Sequence, residues 1–346
     1  METLESLRRQ IATTRHLHTV VRTMKVLSMT SIRQCERAVE SIADYDRTVR
    51  LGLQAALRHR PRRRQDLPIE PAGRGRGAVG GIVFGSTWGM CGRFNELLAD
   101  SVAEAVGTMS ASPVRLLAMG EYVTVPLERA GCSPEEQAAA PESVDGITQC
   151  VQDLLIRLER WRTQDGIHRL VLFYNELTSG SNYYVETQSL LPIDRDWLAA
   201  MQARPWPTAK LPTYRTGWDD LLKGLLRQYL FVSLYRAFAE SLASEHTSRL
   251  SAMQNAESNV EDRLDDLQNR FHRRRQTAIT EEVLDIAAGF EALQGDPREE
   301  TYPVDDGPRS GGGGGRLRAR GENREPDLPG EKGQEAAAGE EEPSGG

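Results

Sequence analysis

From Trp218 to Leu293 the chain contains no proline and, before Gly289, a single glycine, Gly224. Leu222, Leu225, Tyr229 and Val232 begin an apolar stripe. His246, Leu250, Met253, Glu257, Val260, Leu264, Leu267 and Phe271 continue one in alternating steps of four and three. That rhythm predicts one helix of roughly 75 residues, about 110 Å long at 1.5 Å per residue. Thr216 and Asp219 have the spacing of a capping box at its start, and Gly295-Asp296-Pro297 is a stop signal. Helices of globular domains run about 8–20 residues, so this element must be covered along its length by something other than a compact core.

The opening of the chain supplies a candidate. Between Thr3 and Leu57 there is no proline and no glycine before Gly52. Leu7, Ile11, Thr14, His18, Val21, Lys25, Ser28, Ile32, Cys35, Val39, Ile42, Asp46, Val49 and Leu53 keep the same four-three spacing. Two helices distant in sequence but matched in period most simply pair as an antiparallel coiled coil. The polar members cluster between Thr14 and Ser28, which suggests that the middle of this helix meets a partner beyond a simple two-helix dimer.

Between the helices the texture changes. Arg58–Gly77 mixes Pro, Gly and Arg and reads as a linker. From Ala78 to about Lys210, apolar runs at Val79–Phe84, Val114–Ala118 and Leu170–Tyr174, and a more alternating one at Tyr184–Leu191, are interleaved with helical segments. These are Phe94–Val106 and the face formed by Ile147, Val151, Leu154, Leu155 and Leu158. The pattern predicts an inserted α/β domain with a parallel or mixed sheet. Beyond Pro297 the residues are mostly Gly, Glu, Pro, Arg and Ala, which predicts a disordered tail. The expected divisions are a helix at 1–57, a linker at 58–77, an α/β domain at 78–210, a second helix at 211–295 and a tail at 296–346.

An α/β domain could be an enzyme, so its motifs decide. GSTWGMCGRFN at Gly85–Asn95 is a Gly-rich strand-to-helix turn, where an anion could bind or Cys91 could act as a nucleophile. Neither GxxxxGK[ST] nor GxGxxG is present, and no His or carboxylate is recognisably paired with Cys91. A tight structural turn is the simpler reading. Tyr174-Asn175-Glu176 at a strand end reads in the same way, as a loop facing solvent or another protein. The four cysteines are far apart and His16 and His18 point to different helix faces, so no metal, catalytic or cofactor site is expected. The net charge of −7 combines basic clusters at Arg58–Arg64 and Arg270–Arg275 with an acidic end, and no nucleic-acid reader is visible. No apolar run approaches the roughly 18 residues of a membrane span, and METLESLRRQ lacks the apolar region of a signal peptide.

Two surfaces of the long helix remain. Arg275, Gln276 and Thr280 cover adjoining surface after the basic cluster, a candidate docking patch for acidic or polar loops. Val283, Ile286, Phe290 and Leu293, with Ala287, Ala288 and Ala292 between them, make the helix end apolar around much of its circumference. Such an end needs burial that one coiled-coil partner cannot supply.

Three local matches make residues 1 to about 294 resemble the γ subunit of F-type ATP synthases. Ile11 with Thr23-Met24-Lys25-Val26 is similar to the family's first helix. Gly89-Met90-Cys91-Gly92-Arg93-Phe94-Asn95 is similar to its GLCGGFN turn. Ala243-Ser244-Glu245-His246, Met253, Asn255-Ala256, Asn259 and Arg275–Glu282 follow its long C-terminal signature in order. The resemblance implies an antiparallel two-helix coiled coil with a Rossmann-like α/β domain. It implies a non-catalytic central stalk without cofactor, coupling ion flow through a membrane rotor to the ATP sites of an α/β subunit ring. The implied partners are the α and β subunits, the ε subunit and the membrane ring of c subunits. The implied location is peripheral, on the cytoplasmic face of a bacterial inner membrane. By motif, Met24, Lys25, Arg275, Gln276, Thr280 and Glu281 would touch the surrounding ring, and the apolar end would enter a bearing. Thr87-Trp88 stands where the family has Asp-Arg, and Arg93 where it has glycine, so the resemblance is to a divergent bacterial member, as in an auxiliary synthase. The competing readings are a self-dimerising tether with an α/β head and a dinucleotide enzyme with coiled-coil arms.

Overall fold

The computed structural model describes residues 3–59, 78–109, 113–178, 182–193 and 195–294. The basic segment 60–77 and the tail from 295 lie outside the described residues. Two compact units are distinguished, Met1–Asp285 and Ile286–Gly346; within the described residues the second contains only the last part of a helix.

The first helix, α1, spans Leu4–Arg58. The Thr3 hydroxyl accepts from the Ser6 N–H at 3.2 Å and Glu5 sits in the first turn, so the orphan amides of the start are satisfied by side chains. The last helix, α6, spans Trp218–Gln294. Its first turn is closed by Leu221 N–H donating to the Gly217 carbonyl at 3.0 Å. Gly217 thus takes the position that the sequence assigned to Thr216, and Asp219 and Asp220 supply the negative charge favoured at a helix start.

Every residue of the four-three stripe on α1, and every one from His246 to Phe271 on α6, is buried or half-buried. The stripes face each other in opposite directions. Leu7 and Ile11 pack with Leu267, Cys35 with Leu242 and Ala243, and Tyr45 donates to Gln228 Oε1 at 3.0 Å. At the far end the Trp218 indole donates to the Ala56 carbonyl at 2.7 Å. Within the chain, the polar middle is joined across the coil by charged and polar side chains. Lys25 forms an ion pair with Glu257, and His18 Nε2 lies 3.2 Å from Glu261 Oε1.

Between the two helices, β1 (Val79–Phe84), α2 (Phe94–Thr108), β2 (Val114–Met119), α3 (Thr124–Arg129), β3 (Glu136–Ala138), α4 (Val144–Gln164), β4 (Arg169–Thr178), β5 (Asn182–Leu191) and α5 (Arg195–Ala203) follow in order. The sheet order is β3-β2-β1-β4-β5. Four strands are parallel, with Val79 opposite both Val114 and Arg169, and β5 returns antiparallel on the edge. The fold is mixed α and β, with a mostly parallel five-stranded sheet between long terminal helices. Side chains alternate along β1, so Ile82 and Phe84 pack on α4 and α6 while Val79 and Val83 pack on α2. Cover on both faces is why the parallel strands read as unbroken apolar runs. A third core, around Val49, Leu53, Leu198, Trp218 and Leu222, fixes α5 to the base of the coil. Among the described residues no helix is long and apolar enough to cross a membrane.

Leu53 is fully buried in that third core. Leu53→Ala is expected to lower the unfolding free energy of the full chain by about 2–5 kcal/mol, read as a shift in the urea midpoint. A midpoint unchanged from the wild type would contradict this packing of the coil's base.

Candidate functional site

Parallel α/β sheets bind ligands outside the carboxyl ends of their strands, where the strand order reverses. Here β1 passes through α2 to β2 on one side, whereas β4 lies on its other side, so the reversal falls at the ends of β1 and β4. Both turns singled out in the sequence are at this place. Gly85–Asn95 leaves the end of β1, and Tyr174-Asn175-Glu176 lies near the end of β4.

The first turn closes on itself. Ser86 N–H donates to Asn95 Oδ1 at 3.1 Å, and Asn95 Nδ2 donates to Ser86 Oγ at 2.8 Å. The Cys91 thiol points to the same hydroxyl at 3.6 Å. Met90 and Gly92 take positive φ of 60° and 59° to make the reversal. Gly120, with φ of 94°, lies so close that an added Cβ would be 2.6 Å from the Ser86 carbonyl oxygen. Burial raises the Cys91 pKa, so the sulfur is held as a neutral thiol, a poor nucleophile.

The crevice itself is filled by α6. Three serines, spaced three and four residues apart on one helix face, each donate to a backbone carbonyl of the α/β body. Ser241 reaches Phe84 at 2.9 Å, Ser244 reaches Asn175 at 3.0 Å and Ser248 reaches Cys91 at 2.6 Å. Arg249 adds donations to the carbonyls of Trp88 at 3.1 Å and Gly89 at 3.3 Å. Its charge is met by Glu245 at 2.5 Å, both side chains being under a tenth exposed. Against Phe84, Gly85, Phe238 and Ser241 the remaining space is about 10 Å³, that of about one water, while an open cavity of about 370 Å³ lies on the other side of the turn, against Gly92, Arg93, Tyr183 and Ser248. The arrangement holds the sheet to the helix, with α6 occupying the end of β1.

His246 belongs to this seat. Arginine can only donate, so the 3.3 Å contact from Arg249 Nη1 makes His246 Nδ1 an acceptor and the imidazole neutral. Burial first, and the Arg249 charge second, lower its pKa to about 4. Burial raises the Glu245 carboxyl, with Arg249 opposing. The serine ladder was missed in the sequence, although Ser241, Ser244 and Ser248 repeat in helical register beside the recognised stripe.

The residues expected to touch partners form separate patches. Met24 is half-buried, and Lys25 is committed to Glu257, several helical turns before Arg275. Arg275, Gln276, Thr280 and Glu281 are exposed on α6 beyond Phe271, where Arg8 of the first α1 turns stacks at 5.4 Å. The Thr280 hydroxyl turns back to the Gln276 carbonyl at 2.9 Å. Val283 is exposed, and in the second unit so are Ile286, Phe290 and Leu293, the last at 85%.

Comparison with known proteins gives a consistent result. The model of a family described as ATP synthase matches residues 3–293. A protein of Bacteroides thetaiotaomicron described as ATP synthase gamma chain is 24% identical over 302 residues, covering 84% of this chain and 99% of its own. Among solved structures, a chain of the Euglena gracilis mitochondrial ATP synthase (OSCP/F1/c-ring, rotational state 3) aligns with TM-score 0.56 at 12% identity, over 87% of this chain and 99% of its own. A chain of the rotor of the same organism's enzyme (rotational state 1) aligns with TM-score 0.52 at 12% identity, over 80% and 98%. These two share the fold.

The seat has a pH signature. The folded pKa of His246 lies below its unfolded value near 6.5, so its contribution is complete above that pH and lost as pH falls through about 4. Between these values the unfolded chain binds the extra proton. His246→Gln, which keeps an acceptor for Arg249, should reduce the acid-induced loss of stability by about 2 kcal/mol, from urea midpoints at pH 7 and pH 4. Equal losses in variant and wild type would place a protonated His246 in the folded state.

Proposed function

The chain belongs to the ATP synthase family, as a γ chain, and from that premise we propose that it turns as a shaft inside a ring of α and β subunits. It is the central-stalk subunit and non-catalytic, the catalytic sites of the complex being on the β subunits. The observation that carries the shaft reading is the condition of α6 after Phe271. Residues 275–277 and 279–285 are exposed in the first unit, and apolar Ile286, Phe290 and Leu293 are exposed in the second. Exposed apolar residues in such number call for a covering partner.

In this reading Val283, Ile286, Phe290 and Leu293 slide in an apolar bearing formed by the ring. Arg275, Gln276, Thr280 and Glu281 meet polar loops of the ring below it. Met24 and Lys25 mark a second level of contact, where Lys25 also holds the coil together through Glu257. The α/β domain is the foot, against the ε subunit and the c ring, on the cytoplasmic side of a bacterial inner membrane. Ion flow turns the foot, and the asymmetric shaft biases the otherwise equivalent ATP sites in succession, each through its differential contacts. The chain is thereby organised as two shaft helices, a linker, a foot and a tail beyond the bearing.

The tail tests the placement of the helix end. Truncation after Gln294 is expected to leave assembly with α and β subunits and rotation-coupled ATP hydrolysis unchanged, since the bearing contacts end at Leu293. Loss of the complex on native gels would show that residues after 294 belong to the machinery.

A further inference from the structure

The ionic middle of the coil holds a donor set that a stalk does not require. His18 of α1 faces Glu257 and Glu261 of α6, and one ligand atom from each lies within 4.8 Å of the other two. The carboxylates are four residues apart on one helix and so project to the same side. The His18 and Glu257 side chains are 25% and 16% exposed, fixed by the coil on either side, whereas Glu261 is 59% exposed and free to swing.

We propose that His18, Glu257 and Glu261 form a site for a divalent cation of the zinc class that clasps α1 to α6. With metal–ligand bonds of about 2 Å, a tetrahedral ion holds its donors about 3.3 Å apart. His18 Nε2 and Glu261 Oε1 already stand 3.2 Å apart. No pair of ligand atoms is more than 4.8 Å apart, so closing the set asks for at most about 1.5 Å between any two of them. Water completes the coordination at the open side. An imidazole with two carboxylates suits zinc, cobalt or nickel, whereas magnesium and calcium select oxygen-only shells. Lys25 binds one oxygen of Glu257, orienting the carboxylate and leaving the other free. Arg22 and Lys25 also repel a dication, which makes the site weaker than a closed structural zinc site. The ion would bridge a section of coil otherwise joined by the Lys25–Glu257 ion pair and the His18–Glu261 contact, and it involves this chain alone.

The test is titration of the full chain with zinc chloride by calorimetry, beside cobalt absorption spectra and a magnesium control. One zinc per chain is expected, with a visible cobalt band of four- or five-coordinate ligation and no matching heat from magnesium. His18→Ala and the rim variant Glu261→Gln should each weaken zinc binding by about tenfold or more, and His16→Ala should not. Glu261 is exposed, so Glu261→Gln keeps the test readable if His18→Ala disturbs the coil. Zinc binding unchanged in both site variants, magnesium binding equal to zinc, or no zinc binding would each overturn the proposal. None of these results bears on whether the chain joins an α/β ring.

Discussion

Everything in the first unit depends on α6 being claimed from two sides at once. Between Val232 and Arg249 nearly every residue is buried or half-buried, a condition that one coiled-coil partner cannot produce. Leu242 and Ala243 face Cys35 of α1, while Leu234, Ala237 and Phe238 enter the core of the sheet. On the same stretch Ser241, Ser244, Ser248 and Arg249 satisfy carbonyls at the strand ends. Small and polar residues are required there because the backbone of the turn must approach the helix closely. The buried Arg249–Glu245 pair is tolerated because its arginine is spent on four acceptors rather than one.

That double claim explains how an α/β domain of familiar topology can serve a mechanical role. The crevice at the reversal of strand order, where such sheets commonly hold a cofactor, receives a helix of the same chain. In the proposed shaft, torque applied to the foot passes to α6 through these hydrogen bonds and the Phe84–Phe238 contact, with ring centroids 4.7 Å apart. A load path of short backbone-directed bonds resists sliding better than an apolar interface would, because apolar contacts are non-directional and hydrogen bonds are lost over about an ångström.

How much of this could be read from the sequence follows from periodicity. The stripes on α1 and α6 were legible position by position, since a four-three spacing has few other meanings over such lengths. The strands of the inner sheet were legible as apolar runs, but β3 has three residues and no pattern to detect. Register across the coil was not legible, because heptads state which face pairs and not which residue meets which. Glu257 was therefore read only as a member of the stripe on α6 and Lys25 as one on α1, and it is the structure that pairs them. The serine ladder escaped because serine in a helix is ordinarily neutral or unfavourable, and its value here exists only against the carbonyls it meets.

The central claim is that this chain is a stalk whose long helix is surrounded by other subunits. The most direct measurement is a cryo-EM reconstruction of the complex purified from native membranes through a tag on this chain. The account predicts α and β subunits encircling α6 at residues 275–293, with the foot seated on α6 through Ser241–Arg249. Recovery of the chain alone or as a self-dimer, with Ile286, Phe290 and Leu293 uncovered, would contradict it.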